Sequence, residues 1–155
     1  MQRLNLTDYG EGTVIDDQIV RITSRLVVPF IQVYGIYVIL NGHLTPGGGF
    51  SGGAIFGASL VLIALSFNLE AGVKQISHNT ASILESGGAL GYAFTGLAAL
   101  FLGGSYLANR SAGFPIGEAG QLISSGAILV ITVFVGVKVA STIVTLFYSI
   151  IEGEK

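Results

Sequence analysis

The chain has 155 residues, of which 51% are hydrophobic and 10% are charged, and its mean hydropathy is +0.74. Soluble domains carry charges at about a quarter of their residues, so this composition excludes an ordinary soluble domain and indicates a membrane protein. The small net charge of -2, with its charges scattered, argues against a nucleic-acid partner, and the lack of cysteine excludes disulfides and thiolate metal sites.

The first 25 residues mix acidic and basic side chains and lack the basic start and apolar middle of a cleavable signal. We expect residues 1–25 to form a retained cytoplasmic segment. Four apolar windows follow that can cross a bilayer core, which needs ~20 helical residues; the first is short unless its helix begins before Pro29, and the last is longer than one span requires. Lipid offers no hydrogen-bond partners to a free backbone, so these windows are predicted to be helices and not barrel strands. The predicted fold is a single all-α membrane domain over residues 1–155, with spans at about 26–41, 50–69, 87–107 and 122–151.

The positive charges of the short flanking segments predict the orientation of these spans. With a cytoplasmic N-terminus, Arg110 is the one basic residue of the predicted outer segments. The inner segments hold Arg3, Arg21, Arg25, Lys74 and Lys155. Because the number of spans is even, both termini are predicted to lie in the cytoplasm.

The loop after the first span reads NGHLTPGGGFSGG over residues 41–53. Its Gly47, Gly49 and Gly52 fit the G-x-G-x-x-G spacing of dinucleotide-binding folds. That motif requires a preceding strand, whereas the run before this loop is too long and too uniformly apolar for a strand of a small soluble sheet. We interpret the loop as a tight helix-to-helix turn, in which Pro46 fixes one dihedral angle and the glycines permit positive φ.

Glycine accounts for 23 of the 155 residues, more than four helices need in order to pack on one another. Spacings of four residues place glycines on one helical face at Gly49/Gly53, Gly53/Gly57 and Gly87/Gly91. Such faces let helices approach closely in lipid. We predict close neighbours for the second and third spans, and partner subunits against the glycine faces that remain.

A weak internal similarity links SGGAIFGA at residues 51–58 with SGGALGYA at residues 86–93. The favoured interpretation is that both are helix starts, with serine capping the free amides and glycine allowing close packing. The alternative is an inverted repeat of the kind found in transporters.

Lys138 is the only charge that lies deep in a predicted span, which by default makes it a functional-site hypothesis. The alternative is snorkelling, in which the long stem carries the ammonium group to the membrane surface. Glu70 and Glu85 are placed near the inner surface and Glu118 in the outer loop. A functional Lys138 would therefore take its carboxylate partner from another subunit.

His43 lies at the outer end of the first span, and histidine exchanges protons near neutral pH. The alternative is a structural histidine that holds the turn through loop carbonyls, since no carboxylate is near it in sequence. Glu70 and Glu85 bracket an inner segment that also contains Lys74 and His78. We interpret this segment as solvated and interfacial, and its alternative role is to line an ion entrance.

GHLTPGGGFSGG, preceded by PFIQVYGIYVILN and combined with four spans, strongly resembles the MnhB family, which are small membrane subunits of the Mrp-type multisubunit Na+/H+ antiporters. The resemblance covers Asp16 to Ile151. Family members often carry glutamine in place of Ser51 and histidine in place of Asn41, and these departures weaken a proton-relay role for the loop. The motif residues, which we expect to shape the turn and pack against neighbouring subunits, are Gly42, His43, Pro46, Gly47, Gly48, Gly49, Phe50, Gly52 and Gly53.

The resemblance implies a non-catalytic accessory subunit, without a cofactor, in the cell membrane of a prokaryote. Its partners would be the other membrane subunits of an antiporter module and the lipid bilayer. The host complex would be a stand-alone antiporter or a membrane-bound hydrogenase or other ferredoxin-linked redox complex. Neither the resemblance nor the sequence assigns a catalytic residue, and Lys138 and His43 are the candidates for an ion path. The alternative function is an autonomous small ion transporter or channel.

Overall fold

The structure of the protein, a computed structural model, describes residues 8–44, 46–67, 78–114, 117 and 124–153. These residues form four helices and no strand: α1 (Asp8–Leu40), α2 (Gly49–Phe67), α3 (His78–Phe101) and α4 (Ala127–Gly153). Each helix contains a stretch long and apolar enough to cross a bilayer, namely Gln18–Leu40, Gly49–Phe67, Asn79–Phe101 and Ala127–Ile151. The predicted all-α fold with four spans is confirmed, while the orientation of the termini stays a prediction.

The boundaries of α1 differ from the predicted ones. The helix begins at Asp8, inside the segment expected to precede the membrane, and it continues through Pro29. Proline has no amide hydrogen to donate to the carbonyl four residues before it, so the backbone of α1 loses one helical hydrogen bond at Arg25. The first span is long enough to cross the bilayer because the helix includes the residues before this proline.

The start of α3 corrects the predicted third span. The helix begins at His78 and ends at Phe101, whereas the sequence suggested about 87–107. Consequently Glu85 lies inside α3 and not in an inner loop, and SGGALGYA lies within the helix instead of starting it. The first turns of this helix are polar, so their hydropathy is too low to indicate a membrane span. They are helical nevertheless, because their backbone amides and carbonyls hydrogen-bond within the helix. Glu70 and Lys74, from the rest of that inner segment, lie outside the described residues.

The helices pack in the order α1, α2, α4, α3, so that α2 and α4 occupy the centre and α3 packs on α4. A line of small residues runs along each central helix. The facing pairs are Gly49 with Thr132, Gly53 with Gly136, and Gly57 with Ala140. Since the numbers rise together on both helices, α2 and α4 are parallel. We call this contact the α2–α4 seam.

The α2–α4 seam is a contact between backbones. A Cβ atom added at Gly53 would lie 2.5 Å from the carbonyl oxygen of Gly136 and 2.9 Å from its Cα. A Cβ at Gly49 would collide with the carbonyl oxygen of Thr132. The close approach of the second span is confirmed, and its neighbour at these positions is a helix of the same chain.

The outer helices approach their neighbours in the same way. On α1, a Cβ at Gly35 would lie 3.1 Å from the carbonyl oxygen of Gly52 on α2. On α3, a Cβ at Gly88 would lie 2.8 Å from the carbonyl oxygen of Phe134 on α4, and one at Gly91 would collide with the Phe134 ring. A Cβ at Gly87 would meet nothing within 4 Å, so Gly87 has no close neighbour among the described residues, and a partner subunit against it stays a prediction.

Small side chains fill the interior, and large ones face outward. The buried hydrophobic residues are mainly alanine and valine, and Ser24 donates to or accepts from Ser66 across α1 and α2 at 2.6 Å. Large apolar side chains are exposed, as Phe94 and Phe101 show at 72% and 89%. Lipid supplies little hydrophobic force between helices, so close backbone packing and lipid-facing bulk are expected of a membrane bundle.

Candidate functional site

Lys138 forms an ion pair with Glu85 between α4 and α3. The Lys138 Nζ lies 3.4 Å from Glu85 Oε1. Gly88, one turn along α3 from Glu85, makes room for the lysine stem, since a Cβ added there would lie 2.8 Å from Lys138 Cβ. The prediction that the carboxylate partner of Lys138 must come from another subunit is therefore wrong. The prediction is wrong because it places Glu85 in an inner loop, whereas Glu85 lies inside α3.

Thr142 joins this ion pair from the next turn of α4. Its Oγ1 lies 2.9 Å from Glu85 Oε1 and 2.9 Å from the backbone carbonyl oxygen of Lys138. A hydroxyl has one proton, so Thr142 can donate fully to only one of these oxygens at a time. Glu85 Oε1 is thus contacted by the Lys138 ammonium group and by the Thr142 hydroxyl. The hydroxyl can instead donate to the backbone carbonyl of Lys138.

The depth of the pair distinguishes it from a charge at the membrane surface. Lys138 lies near the middle of the span Ala127–Ile151, and Glu85 lies inside the span Asn79–Phe101. The ammonium ends on a carboxylate within the bundle and not beyond the end of a helix. The group that neutralises Lys138 is a protein side chain, while its functional role and the snorkelling alternative stay predictions.

The second candidate, His43, belongs to a different cluster at the other end of the helices. Its Nε2 lies 3.2 Å from Ser124 Oγ, just before α4. Beside it, Asn109 accepts a hydrogen bond from the Ala127 amide at 3.1 Å and donates to the Ser125 carbonyl at 2.8 Å. These bonds tie the α1–α2 turn and the α3–α4 connection to the start of α4.

The structure does not bring His43 and Lys138 together. The cluster at His43 adjoins the start of α4, and Lys138 follows after about 16 Å of helix at 1.5 Å per residue. His43 contacts a neutral hydroxyl, whereas Lys138 contacts a carboxylate. The geometry supports a structural role for His43 at the turn, and its place in an ion path stays a prediction.

The glycine motif divides into inward and outward residues. Gly49, Gly52 and Gly53 are buried, and a Cβ at Gly52 would lie 2.7 Å from the Gly35 carbonyl oxygen. A Cβ at Gly42 would collide with Cα of Gly48. These glycines hold the turn and α2 against helices of the same chain. The exposed members are Pro46, Gly47 and Phe50, the last at 72%, and for these three the predicted packing against other subunits stays a prediction.

Gly48 is needed for its backbone conformation and not for close packing. Its φ is +144°, its carbonyl accepts from the Gly52 amide at 2.9 Å, and a Cβ would meet nothing within 4 Å. We expect Gly48→Ala to destabilise the protein by about 1–3 kcal/mol, the usual cost of such a backbone conformation in a residue with a side chain. Gly48→Leu should cost nearly the same, because leucine is not branched at Cβ and the space around Gly48 is open.

The matched comparison for this prediction is Gly49, where the obstacle is a neighbouring backbone. There the loss of thermal stability should grow from Gly49→Ala to Gly49→Val, as the larger side chain is forced further into Thr132. Thermal unfolding of the protein in detergent measures both series. Equal stability of Gly48→Ala and the wild type would contradict the backbone argument.

The motif lacks the setting of a dinucleotide site. In the described residues the turn follows a helix, α1, and no strand precedes it. The same residues contain no group of three or more histidine, cysteine, aspartate or glutamate side chains that could hold a metal ion. The interpretation of the loop as a helix-to-helix turn is confirmed.

Sequence reasoning missed several contributing residues. Gly136 and Ala140 carry the same four-residue spacing as the glycines of α2 and would have indicated the second side of the seam. Thr142 lies four residues after Lys138, on the same helical face, and this spacing was a usable signal. No sequence signal indicated the contact between His43 and Ser124, because the two residues are distant in sequence.

Together, the fold and the site define a multi-pass α-helical membrane protein that holds ionisable side chains within its spans, as ion-translocating proteins do. The profile of the family described as "Domain related to MnhB subunit of Na+/H+ antiporter" matches residues 19–145. The chain therefore belongs to this family, and the resemblance drawn from its motif is confirmed.

Relatives extend this assignment. An uncharacterized protein of Methanocaldococcus jannaschii is 37% identical over 145 residues, which are 92% of this chain and 53% of the relative. A Staphylococcus aureus (strain Newman) protein, provisionally named antiporter subunit mnhB2, is 33% identical over 141 residues, 89% of this chain and 96% of that protein. This chain thus spans about half of the archaeal relative and nearly all of the bacterial one.

A solved structure of a membrane complex shares the fold. It is the membrane-bound sulfane sulfur reductase (MBS), an archaeal respiratory membrane complex, one chain of which is 35% identical to this protein with a TM-score of 0.65. The match covers 79% of this chain and 53% of that chain. The protein is thus similar to a chain of a membrane complex as well as to an antiporter subunit.

Proposed function

We propose that the protein is a non-catalytic accessory subunit of a multisubunit cation/proton antiporter module in the cell membrane of a prokaryote. Membership of the MnhB family supports the module, and the mnhB2 relative supports the subunit role. The structural observation that carries the proposal is the Glu85–Lys138 ion pair within the spans. Charged groups at this depth are costly in a purely structural bundle and mark ion pathways.

Two host complexes fit this role. The Staphylococcus relative supports a stand-alone Na+/H+ antiporter, and the archaeal respiratory complex supports a redox-driven assembly such as a membrane-bound hydrogenase or a ferredoxin-linked complex. In either host the partners are other membrane subunits of the antiporter module within the bilayer. Adjacent genes for nickel- or iron–sulfur-binding subunits would indicate the redox host, and their absence beside antiporter-subunit genes the stand-alone one.

Within the module, the ion pair is proposed to contribute to a cation path. A carboxylate within a span can exchange a proton or a small cation, and the neighbouring ammonium balances its charge in the absence of water. Glu85 joins the two earlier candidates because it is the group that Lys138 contacts. His43 remains a separate candidate at the end of the bundle, joined to Ser124.

Reconstitution tests whether the protein works only inside a complex. We expect the purified chain in liposomes to exchange no Na+ for H+, and the purified host complex to do so, because a single ion pair cannot form a path across the bilayer. A pH-sensitive dye inside the liposomes reports the exchange, and protein-free liposomes set the background. Exchange by the pure chain at the rate of the complex would favour the alternative, an autonomous transporter or channel.

A further inference from the structure

The ion pair opens onto the surface of the bundle between α3 and α4. Beside the pair, a mainly apolar opening of about 240 Å³ is lined by Gly88, Ala89, Tyr92, Val135 and Lys138. The side chains of Lys138 and Glu85 are 39% and 30% exposed. We call this surface the α3–α4 polar face. In a bilayer it lies at the depth of the lipid chains.

The hydrogen-bonding groups of the α3–α4 polar face are not all satisfied by the described residues. A lysine ammonium has three donors, and among the described residues the structure gives this one a single acceptor, Glu85 Oε1. That oxygen already lies close to Thr142. Lipid chains provide neither donors nor acceptors, so the uncovered part of the pair would be left unsatisfied at considerable cost.

We propose that the α3–α4 polar face docks against a membrane-embedded partner subunit that presents a hydrogen-bond acceptor at the depth of Lys138. The inference rests on the proposed function, because it requires a host complex. The cation is the more exposed member of the pair, so the partner supplies an acceptor: a carboxylate, an amide or hydroxyl oxygen, or a free backbone carbonyl.

The shape of the face suits a close helix. Gly88 and Ala89 line the opening, and next to them a Cβ at Gly87 would meet nothing within 4 Å. Small residues let a second backbone approach to the distance at which its polar groups reach the partly exposed pair. A lipid headgroup fits poorly here, because headgroups lie at the ends of the spans and the pair lies within them.

Photocrosslinking in the intact host complex tests the docking surface. Tyr92, which lines the opening, is replaced by a photoreactive phenylalanine analogue that keeps an aromatic ring and leaves the ion pair unchanged. The matched control is Tyr34 on α1, also within a span and 57% exposed. We expect Tyr92 to give adducts with a different membrane subunit several-fold more often than Tyr34 does, at a partner segment that contains an acceptor side chain or a broken helix.

Three results would overturn the docking surface: adducts with lipid alone, adducts between two copies of this chain, or a partner segment with only apolar side chains and an unbroken helix. A chain that fails to co-purify with any other membrane subunit would instead refute the proposed function. The two failures are therefore distinguishable, because crosslinking is read only in a complex that has been recovered.

Discussion

Gly53→Val is expected to abolish recovery of the folded protein and of its host complex. The Cβ atom alone would lie 2.5 Å from the carbonyl oxygen of Gly136 and 2.9 Å from its Cα. Both obstacles are backbone atoms of α4, so no side chain can rotate away. Overpacking a well-packed core costs about 1–3 kcal/mol when neighbours can adjust, and more is expected where two backbones must separate. Yield of the complex in detergent and its thermal stability measure the effect.

Gly87→Val on α3 is the matched control, because it makes the same change at an exposed helical glycine with open space around it. Measured on the chain purified alone, yield and thermal stability should stay at the wild-type level, whereas recovery of the host complex should fall, because Gly87 adjoins the α3–α4 polar face. Gly57→Ala should lie between the two, since its Cβ would meet Ala140 and Ile143 at 3.1 Å, a distance that small shifts can relieve. Wild-type stability of Gly53→Val would show that α2 and α4 do not form the α2–α4 seam.

The number and type of the helices could be predicted because the bilayer restricts the choices so strongly. A chain with four long apolar windows must satisfy its backbone internally, and helices do so within each span. The spacing of Gly49, Gly53 and Gly57 likewise determines which face of α2 is smooth. It does not determine what covers that face, since a helix of the same chain and a helix of a partner both fit it. The structure places α4 there.

The ion pair could not be predicted because it depends on the register between two helices. Hydropathy placed Glu85 outside the third span, since several polar residues precede it in α3. The packing of Gly88 against Lys138 sets the register of α3 and α4, and this register brings the two charged groups to the same height along the helices. The sequence therefore identified the cation correctly as a mid-span group, and it assigned the cation's partner to the wrong subunit.

Lys138→Met and Glu85→Gln, made singly and together, are expected to separate assembly from transport. Each single change leaves the opposite charge without its counter-ion inside the span. An unpaired charge at that depth costs at least about 2.5 kcal/mol on insertion scales. This cost lowers the equilibrium constant for forming the inserted, folded protein by more than tenfold. The single variants should therefore give less complex than the wild type. The double variant removes both charges at similar side-chain volume, and its yield of complex should rise above that of either single variant, although the acceptor proposed on the partner subunit still loses Lys138.

Transport should not recover with the yield. If Glu85 exchanges the ion in its pair with Lys138, the double variant still assembles into a complex but shows little or no Na+-dependent proton movement. Lys138→Arg, which keeps the positive charge, should retain part of that activity with a shifted pH optimum, because a guanidinium pairs with a carboxylate in a different geometry. Proton movement is measured in inverted membrane vesicles over a range of pH and divided by the amount of complex. A double variant that transports like the wild type at every pH would leave the ion pair as a structural contact between α3 and α4, and would remove Glu85 and Lys138 from the proposed cation path.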